Sequence, residues 1–187
     1  VYISLGSYGR MPHEQAIALA LTAPPEDLLL GTLSAACLQV CPQNHGRWDV
    51  ATAQAWRQHS PSVSWRVHAN VQVERHKRIV DWCDWPEERD WFASVAAVSH
   101  ALGATAYTAH AGRRRPGMAL SAVLNAVRDA EQCFGMPVGI EGHYPTARDT
   151  WFLSSWEEYR VLLESGVRYA LDLSHLHIVA CQSKRIE

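Results

Sequence analysis

The apolar residues of this chain follow two spacings that alternate along the sequence. Short apolar runs predict strands, and longer stretches with apolar residues three or four positions apart predict amphipathic helices. The predicted strands cover 1–5, 37–41, 63–73, 104–110 and 137–141, followed by a buried strand that starts at 167. The predicted helices cover 12–22, 49–58, 86–102, 118–134 and 155–165. Residues 28–41 are apolar and ambiguous, and we expect a helix remnant at their start and the strand 37–41 at their end.

Strands and helices that alternate in this way indicate a parallel α/β fold. The pattern contains about six strand-plus-helix units, whereas a closed eight-unit barrel needs at least about 200 residues. We therefore expect a single domain over residues 1–187, an incomplete (β/α)8 TIM-type barrel that lacks its C-terminal units. A doubly wound sheet is the competing fold, but no Gly-x-Gly-x-x-Gly turn follows the first strand.

The composition and net charge of the chain limit the classes of protein to which it can belong. The chain is 48% hydrophobic and 19% charged, which is typical of a globular protein. Its net charge of -2 argues against a strongly basic surface for nucleic acid, although a local basic patch is compatible with it. No apolar run reaches the roughly 18 residues of a membrane span, and we expect neither a signal peptide nor a membrane partner. Five cysteines with irregular spacing indicate reduced thiols and a cytoplasmic location.

The last predicted strand carries an acidic residue where an apolar one is expected. Asp172 lies near the end of that run, and His175 follows three residues later. A buried carboxylate costs several kcal/mol unless a cation or hydrogen-bond donors satisfy it. The preceding predicted strand has the same form, because the apolar run 137–141 ends in Glu141.

Residues that can bind a metal lie at the ends of four successive predicted strands. They are His68, His110, Glu141 and Asp172, with His175 just behind the last. In parallel barrels the carboxyl ends of the strands share one face, and that face carries the chemistry. Imidazole and carboxylate ligands together favour Zn, Mn or Fe over Ca or Mg. We therefore predict that these residues bind one or two divalent metal ions.

The motifs at these strand ends resemble those of the xylose isomerase-like TIM-barrel superfamily. That superfamily contains the endonuclease IV class of apurinic/apyrimidinic endonucleases and many sugar isomerases and epimerases. The motifs are Val67-His68-Ala69-Asn70, Ala109-His110-Ala111-Gly112, Gly139-Ile140-Glu141-Gly142 and Leu171-Asp172-Leu173-Ser174-His175. Their order is closest to the endonuclease IV pattern. Leu38-Gln39-Val40-Cys41, with Asn44 and Trp48, is also similar to the second strand and loop of that family.

The resemblance implies roles for the five residues. His68 and His110 would hold one metal, Glu141 would bridge or hold a metal, and Asp172 would be a ligand. His175 would be a ligand in the nuclease or a substrate contact in the isomerases. The sequence departs from the nuclease pattern at the first loop, which has no His, and at Asn70-Val71, which replaces an aromatic wedge. These departures favour a one- or two-metal site over a trinuclear zinc site.

Several further residues are predicted to contact a substrate. Arg113 and Arg114 directly follow the strand that ends in His110, where they could grip a phosphate, although a solvated charge run is an equal alternative. The other candidates either lie beside a predicted metal ligand or carry an aromatic ring that could contact a substrate. They are His143 and His177 beside the ligand candidates, Trp48 as a stacking surface, and Tyr8 in the first loop.

Three functions follow, in decreasing order of support. The first is a metal-dependent isomerase or epimerase of a sugar or sugar phosphate, with Glu141 and His175 as catalytic residues and a metal that stabilises an enediolate. The second is an endonuclease IV-like phosphodiester hydrolase, for which DNA would be the partner. The third is a degenerate, non-catalytic barrel. A homo-oligomer is compatible with all three.

Overall fold

Strands and helices alternate along the part of the chain that the computed structural model describes, which is residues 2–22, 26–27, 31–32, 34–148 and 150–182. The chain divides into two compact units. The first comprises Val1–Ile79 with Ala93–Tyr107, and the second comprises Val80–Phe92 with Thr108–Glu187. The single domain expected from the sequence stays a prediction. None of the described helices is both long enough and apolar enough to cross a membrane.

The first unit begins with β1 (Ile3–Ser4), α1 (His13–Leu21) and a short antiparallel pair, β2 (Glu26–Asp27) and β3 (Gly31–Thr32). It continues with β4 (Cys37–Val40), α2 (Val50–His59), β5 (Ser64–His68), most of α3 (Arg89–Leu102) and the start of β6 (Ala104–His110). The helix remnant predicted from residue 28 falls largely outside the described residues, and residues 31–32 form β3 instead.

The sheet of the first unit has the order β1, β4, β5, β6. The first two pairings are parallel, with Ile3 opposite Leu38 and Cys37 opposite Ser64. Alternate residues of β4 and β5 are buried. The apolar residues that recur at every second position of the sequence are therefore those that face the core. The predicted start of α2 is confirmed, because the Asp49 side chain caps it by accepting a hydrogen bond from the Thr52 backbone amide.

The second unit contains the rest of β6, α4 (Leu120–Phe134), β7 (Val138–Glu141), α5 (Trp156–Glu164), β8 (Tyr169–Ala170) and α6 (Leu173–Gln182). Its strand order is β6, β7, β8, and β7 pairs with β8 in parallel. The predicted end of α4 is confirmed, and α5 ends at Glu164, one residue before its predicted end. Gly135 ends α4 in the left-handed conformation, with φ of 57°, which suits a residue without a Cβ.

An aromatic cluster forms the core of the second unit. The Trp82 ring stacks on Phe92 with the ring centres 5.2 Å apart, and Phe134 meets both rings edge-on. The indole nitrogen of Trp82 donates a hydrogen bond to the Gly139 carbonyl at 3.0 Å. The prediction that a helix begins at residue 86 is wrong by about one turn. Trp82–Asp84 form a 3₁₀ turn, and α3 begins at Arg89.

The last predicted strand is shorter and less buried than expected. Only Tyr169 and Ala170 are extended, and Tyr169 and Leu171 are 45% and 46% exposed. The apolar run continues instead into α6, which begins at Leu173. Periodicity cannot separate these alternatives, because a short apolar run suits a buried strand and a helix start equally well. As a result, His175 lies in the first turn of a helix rather than in a loop.

His13, at the start of α1, is a buried histidine of the first unit. It is 5% exposed, and its ring meets Trp48 edge-on with the ring centres 5.4 Å apart. Burial lowers the pKa of His13 to about 4, although the Gly46 backbone favours the charged ring. In the unfolded chain a histidine titrates near its ordinary value of 6.5. Between these two values the unfolded chain binds a proton that the folded chain does not, so acid destabilises the fold.

We expect the free energy of unfolding to fall by about 2 kcal/mol more in the wild type than in His13→Gln between pH 7 and pH 5. The measurement is urea unfolding at the two pH values, compared as a difference between the proteins. His59→Gln removes an exposed histidine of the same unit and should retain the wild-type loss. Equal losses in wild type and His13→Gln would contradict the assignment.

Candidate metal site

Glu141 occupies the end of β7 and is the most buried of the predicted ligands, with 8% of its surface exposed. Its Oε1 atom lies 3.7 Å from Nε2 of His110 and 3.9 Å from Nδ1 of His175. The backbone holds it in place, because the Glu141 carbonyl accepts a hydrogen bond from the Ala111 amide. Glu141 is therefore an acidic group held between two imidazoles.

Asp172 caps the start of α6. Its Oδ1 atom accepts hydrogen bonds from the amides of Ser174 at 2.7 Å and His175 at 3.1 Å, and from the Ser174 hydroxyl. Burial raises the pKa of Asp172, but these hydrogen bonds outweigh burial and hold the pKa below its ordinary value. The carboxylate is thus charged at neutral pH. Helix capping therefore supplies much of the stabilisation of this carboxylate that the sequence-based prediction attributed to a cation. The other oxygen, Oδ2, still faces His175, at 3.7 Å from Nε2.

The His175 ring has a fixed orientation. Its Nδ1 atom is 2.9 Å from the Gly142 carbonyl, which can only accept, so we assign the ring proton to Nδ1. Nε2 then carries a lone pair on the side that faces Asp172. A backbone carbonyl that binds one nitrogen of a histidine while the other stays available is the usual environment of a metal-binding imidazole.

Three of the five predicted ligands lie together in the second unit. Glu141, Asp172 and His175 each offer one ligand atom, and these atoms lie within 4.8 Å of one another. Two ligands of one zinc ion, each bound at up to about 2.2 Å, lie at most about 4.4 Å apart, so a cation here would draw these atoms slightly closer together. Two carboxylates and an imidazole suit zinc or manganese, so the donor set fits a divalent metal. Binding itself stays a prediction.

His110 ends β6 beside this group, and its pKa is raised. Burial alone lowers the pKa of this imidazole, but a hydrogen bond with Asp81 and the charge of Glu141 outweigh burial. Asp81 lies 3.5 Å from Nδ1 of His110 and is a residue that the sequence analysis missed. The available signal was an acid inside an apolar run, Val80-Asp81-Trp82-Cys83, which is the same kind of signal that indicated Asp172.

His143 stacks between His110 and Trp151, with ring centres 4.5 Å and 4.3 Å away. Burial, and then the charge of His110, lowers the pKa of His143 to about 4, so the ring is neutral at physiological pH. His143 therefore lies where the sequence predicted, next to the ligand group. Its role as a substrate contact stays a prediction.

The arginines that follow β6 differ in their surroundings. Arg114 forms a bidentate ion pair with Glu158, in which both nitrogen–oxygen distances are 2.9 Å. Arg115 forms ion pairs with Asp84 and Glu87. Arg113 is exposed, and its guanidinium lies over the Trp151 ring at 4.9 Å. A phosphate would compete with a carboxylate for Arg114, whereas Arg113 is held by a ring contact that leaves its charge available.

His177 is exposed on α6 and contacts Cys181 at 3.4 Å, rather than any of the three grouped ligands. The remaining predicted site residues belong to the first unit. His68 ends β5 as predicted, with Nδ1 3.3 Å from the Ala69 carbonyl, and Tyr8 ends a half-buried 3₁₀ turn. Trp48 is 1% exposed and packs against Trp65, so its burial does not favour the predicted stacking on a ligand. The roles of these residues stay predictions.

Comparison with known proteins identifies the fold. No protein-family model and no curated protein sequence matches the chain. Among solved structures, AP endonuclease, family 2, from Brucella melitensis matches 92% of the chain with a TM-score of 0.55 and 15% identity. Endonuclease IV from Thermus thermophilus matches 93% with a TM-score of 0.50 and 18% identity. The chain has the TIM-barrel fold of these two structures.

The predicted TIM-barrel fold is thereby confirmed. A D-tagatose 3-epimerase-like protein also matches, over 68% of the chain, with a TM-score of 0.45 and 12% identity. The chain spans about half to two thirds of the length of these matched proteins, from 51% of the epimerase-like protein to 67% of the AP endonuclease. Structural similarity at such low sequence identity establishes the fold only. The reaction has to be inferred from the chemistry of the site.

Proposed function

We propose that this chain belongs to a divalent-metal-dependent enzyme that isomerises or epimerises a sugar or sugar phosphate. The observation that supports the proposal is the convergence of Glu141, Asp172 and His175, whose ligand atoms lie within 4.8 Å of one another at the ends of β7 and β8. His110, at the end of β6 in the same unit, is proposed as a further ligand. A cytoplasmic enzyme that acts on small molecules also fits the net charge of -2.

The residues have distinct tasks in this reaction. A bound divalent metal would polarise a carbonyl and hydroxyl pair of the sugar. Asp172 contributes a carboxylate that hydrogen bonds keep charged, and His175 contributes an imidazole that Gly142 orients. Glu141, the most buried acid of the three, binds the metal and exchanges a proton with the substrate through its carboxylate. Neutral His143 covers one side of His110 and limits the access of water.

The arginines favour a sugar over DNA as substrate. A DNA-binding enzyme neutralises several phosphates with basic side chains. In this chain the charges of Arg114 and Arg115 are opposed by Glu158, Asp84 and Glu87. Arg113 retains an exposed charge, which suits the single phosphate of a sugar phosphate better than a long polyanion.

One observation favours the second candidate, a phosphodiester hydrolase of DNA. Glu141 lies between two imidazoles, 3.7 Å from Nε2 of His110 and 3.9 Å from Nδ1 of His175, and the Nε2 atom of His175 is left to bind a cation beside Asp172. A carboxylate in that position can bridge two cations, and two-metal sites stabilise both the attacking and the leaving oxygen of a phosphodiester.

The test follows carbon-bound hydrogen in a panel of ketoses and ketose phosphates. An enediolate intermediate exchanges its proton with solvent, so incubation in heavy water should place deuterium next to the carbonyl, as seen by proton NMR. We expect deuterium exchange when Mn²⁺ or Zn²⁺ is bound. Exchange should stop when the metal is removed and should resume when the metal is added back. Cleavage of an abasic-site duplex without sugar exchange would establish the alternative. Absence of both activities and of bound metal would indicate a non-catalytic barrel.

A further inference from the structure

Asp81 is an almost fully buried acid that the reaction above does not use. It is 4% exposed and lies directly before the 3₁₀ turn Trp82–Asp84. Its side chain accepts a hydrogen bond from the Asp84 amide, while the Asp84 carboxylate accepts one from the Asp81 amide at 2.8 Å. This reciprocal capping fixes the side chain of Asp81.

The turn that carries Asp81 is tied to the strand ends of the second unit. The Cys83 amide donates to the Ala111 carbonyl just beyond β6, at 3.0 Å, and the Trp82 indole donates to the Gly139 carbonyl of β7. Gly112 approaches so closely that a Cβ there would lie 2.8 Å from Cβ of Asp81. The carboxylate of Asp81 thus has little freedom to leave His110.

Helix capping alone does not explain why this residue is acidic. Asparagine and serine cap as well as aspartate does, without the cost of burying a charge. The structure offers the carboxylate a specific partner, because Oδ1 of Asp81 lies 3.5 Å from Nδ1 of His110. The opposite ring nitrogen, Nε2, lies 3.7 Å from Glu141.

We infer that Asp81 is a positioning residue that keeps the His110 proton on Nδ1 and directs the lone pair of Nε2 toward the metal site. An ionised carboxylate can only accept a hydrogen bond, so it selects the tautomer with Nδ1 protonated. His175 has the equivalent arrangement, with the Gly142 carbonyl in place of the carboxylate. Both imidazoles then present an unprotonated nitrogen, which a metal ligand requires. The consequence for metal binding rests on the proposed function.

Long-range ¹H–¹⁵N NMR of the metal-free protein, at a pH where the imidazole is neutral, reads the tautomer directly. In the wild type we expect His110 to be protonated on Nδ1. Asp81→Asn retains a capping side chain but offers an amide that can also donate, so the proton should move toward Nε2. Zn²⁺ affinity, measured by competition with a chromophoric chelator, should fall about 10- to 100-fold.

Glu87→Gln is the control, because it removes an exposed acid from the same segment and leaves the capping pair intact. It should keep the Nδ1 tautomer and bind Zn²⁺ within about twofold of the wild type. A wild-type His110 protonated on Nε2 would overturn the inference, and so would an Asp81→Asn protein with unchanged tautomer and affinity. The wild-type tautomer decides the matter even if Asp81→Asn fails to fold. If the tautomer depends on Asp81 but the wild type binds no Zn²⁺, the proposed function fails and the positioning role stands.

Discussion

Glu141→Gln is expected to lower the affinity for Zn²⁺ or Mn²⁺ by at least about 100-fold, because a direct ligand should matter no less than a supporting one. The substitution keeps the shape of the side chain and removes its charge. Glu141 lies within 4 Å of both His110 and His175, so the substitution removes a charge that faces both imidazoles. Competition with a chromophoric chelator, or calorimetric titration of the metal-free protein, measures the effect.

Glu164→Gln provides the control for that measurement. It makes the same chemical change at an exposed position at the end of α5, and its affinity should equal that of the wild type. A Glu141→Gln protein that binds metal within about tenfold of the wild type would remove Glu141 from the ligand set. His175→Ala and His177→Ala extend the comparison to two histidines of the same helix, of which the first should lose affinity and the second should retain it.

Gly112→Ala should destabilise the fold by more than about 3 kcal/mol. Gly112 has φ of +96°, and a Cβ there would lie 2.3 Å from Sγ of Cys83 and 2.8 Å from Cβ of Asp81. The obstructing atoms are buried and belong to the tethered turn Trp82–Asp84 and the residue before it, so they cannot move away freely. Urea unfolding of the variant and the wild type measures the loss.

Gly117→Ala separates the clash from the backbone conformation. Gly117 lies in the same loop with φ of +77°, and a Cβ there meets nothing within 4 Å. We expect a loss of about 1 kcal/mol at Gly117, the ordinary cost of a side chain in the left-handed region. Combining Gly112→Ala with Cys83→Ala should recover part of the loss. Equal losses at the two glycines, with no recovery, would show that the Cys83 contact is not tight.

Local pattern predicts most of the elements of this chain. The strand 104–110 is predicted to the residue, because its apolar run is bounded by Gly103 and by the glycine- and arginine-rich loop that follows. The cap of α2 at Asp49 is also local, since it requires only an acid before a helical period. Asp172 marks the limit of such reasoning, because an acid that caps a helix and an acid in a buried strand look alike in sequence.

The candidate site is predictable only in part. The strand ends bring Glu141 and Asp172 into one group because parallel strands align their carboxyl ends. Asp81 is placed by the hydrogen bond from Cys83 to Ala111, which joins segments far apart in sequence and leaves no periodic signal. The partners of Arg114 and Arg115 are likewise tertiary, so a run of three arginines could not reveal which charge stays exposed.

The stacking of Trp151 on His143 gives the molecule an optical reporter. The indole lies 4.3 Å from an imidazole that itself stacks on His110. Imidazole rings quench indole emission on contact, and the quenching changes when the imidazole shifts or gains charge. A cation that reorients His110 would therefore change the surroundings of Trp151, one of the eight tryptophans of the chain, and a Trp151→Phe variant would identify its share of the emission.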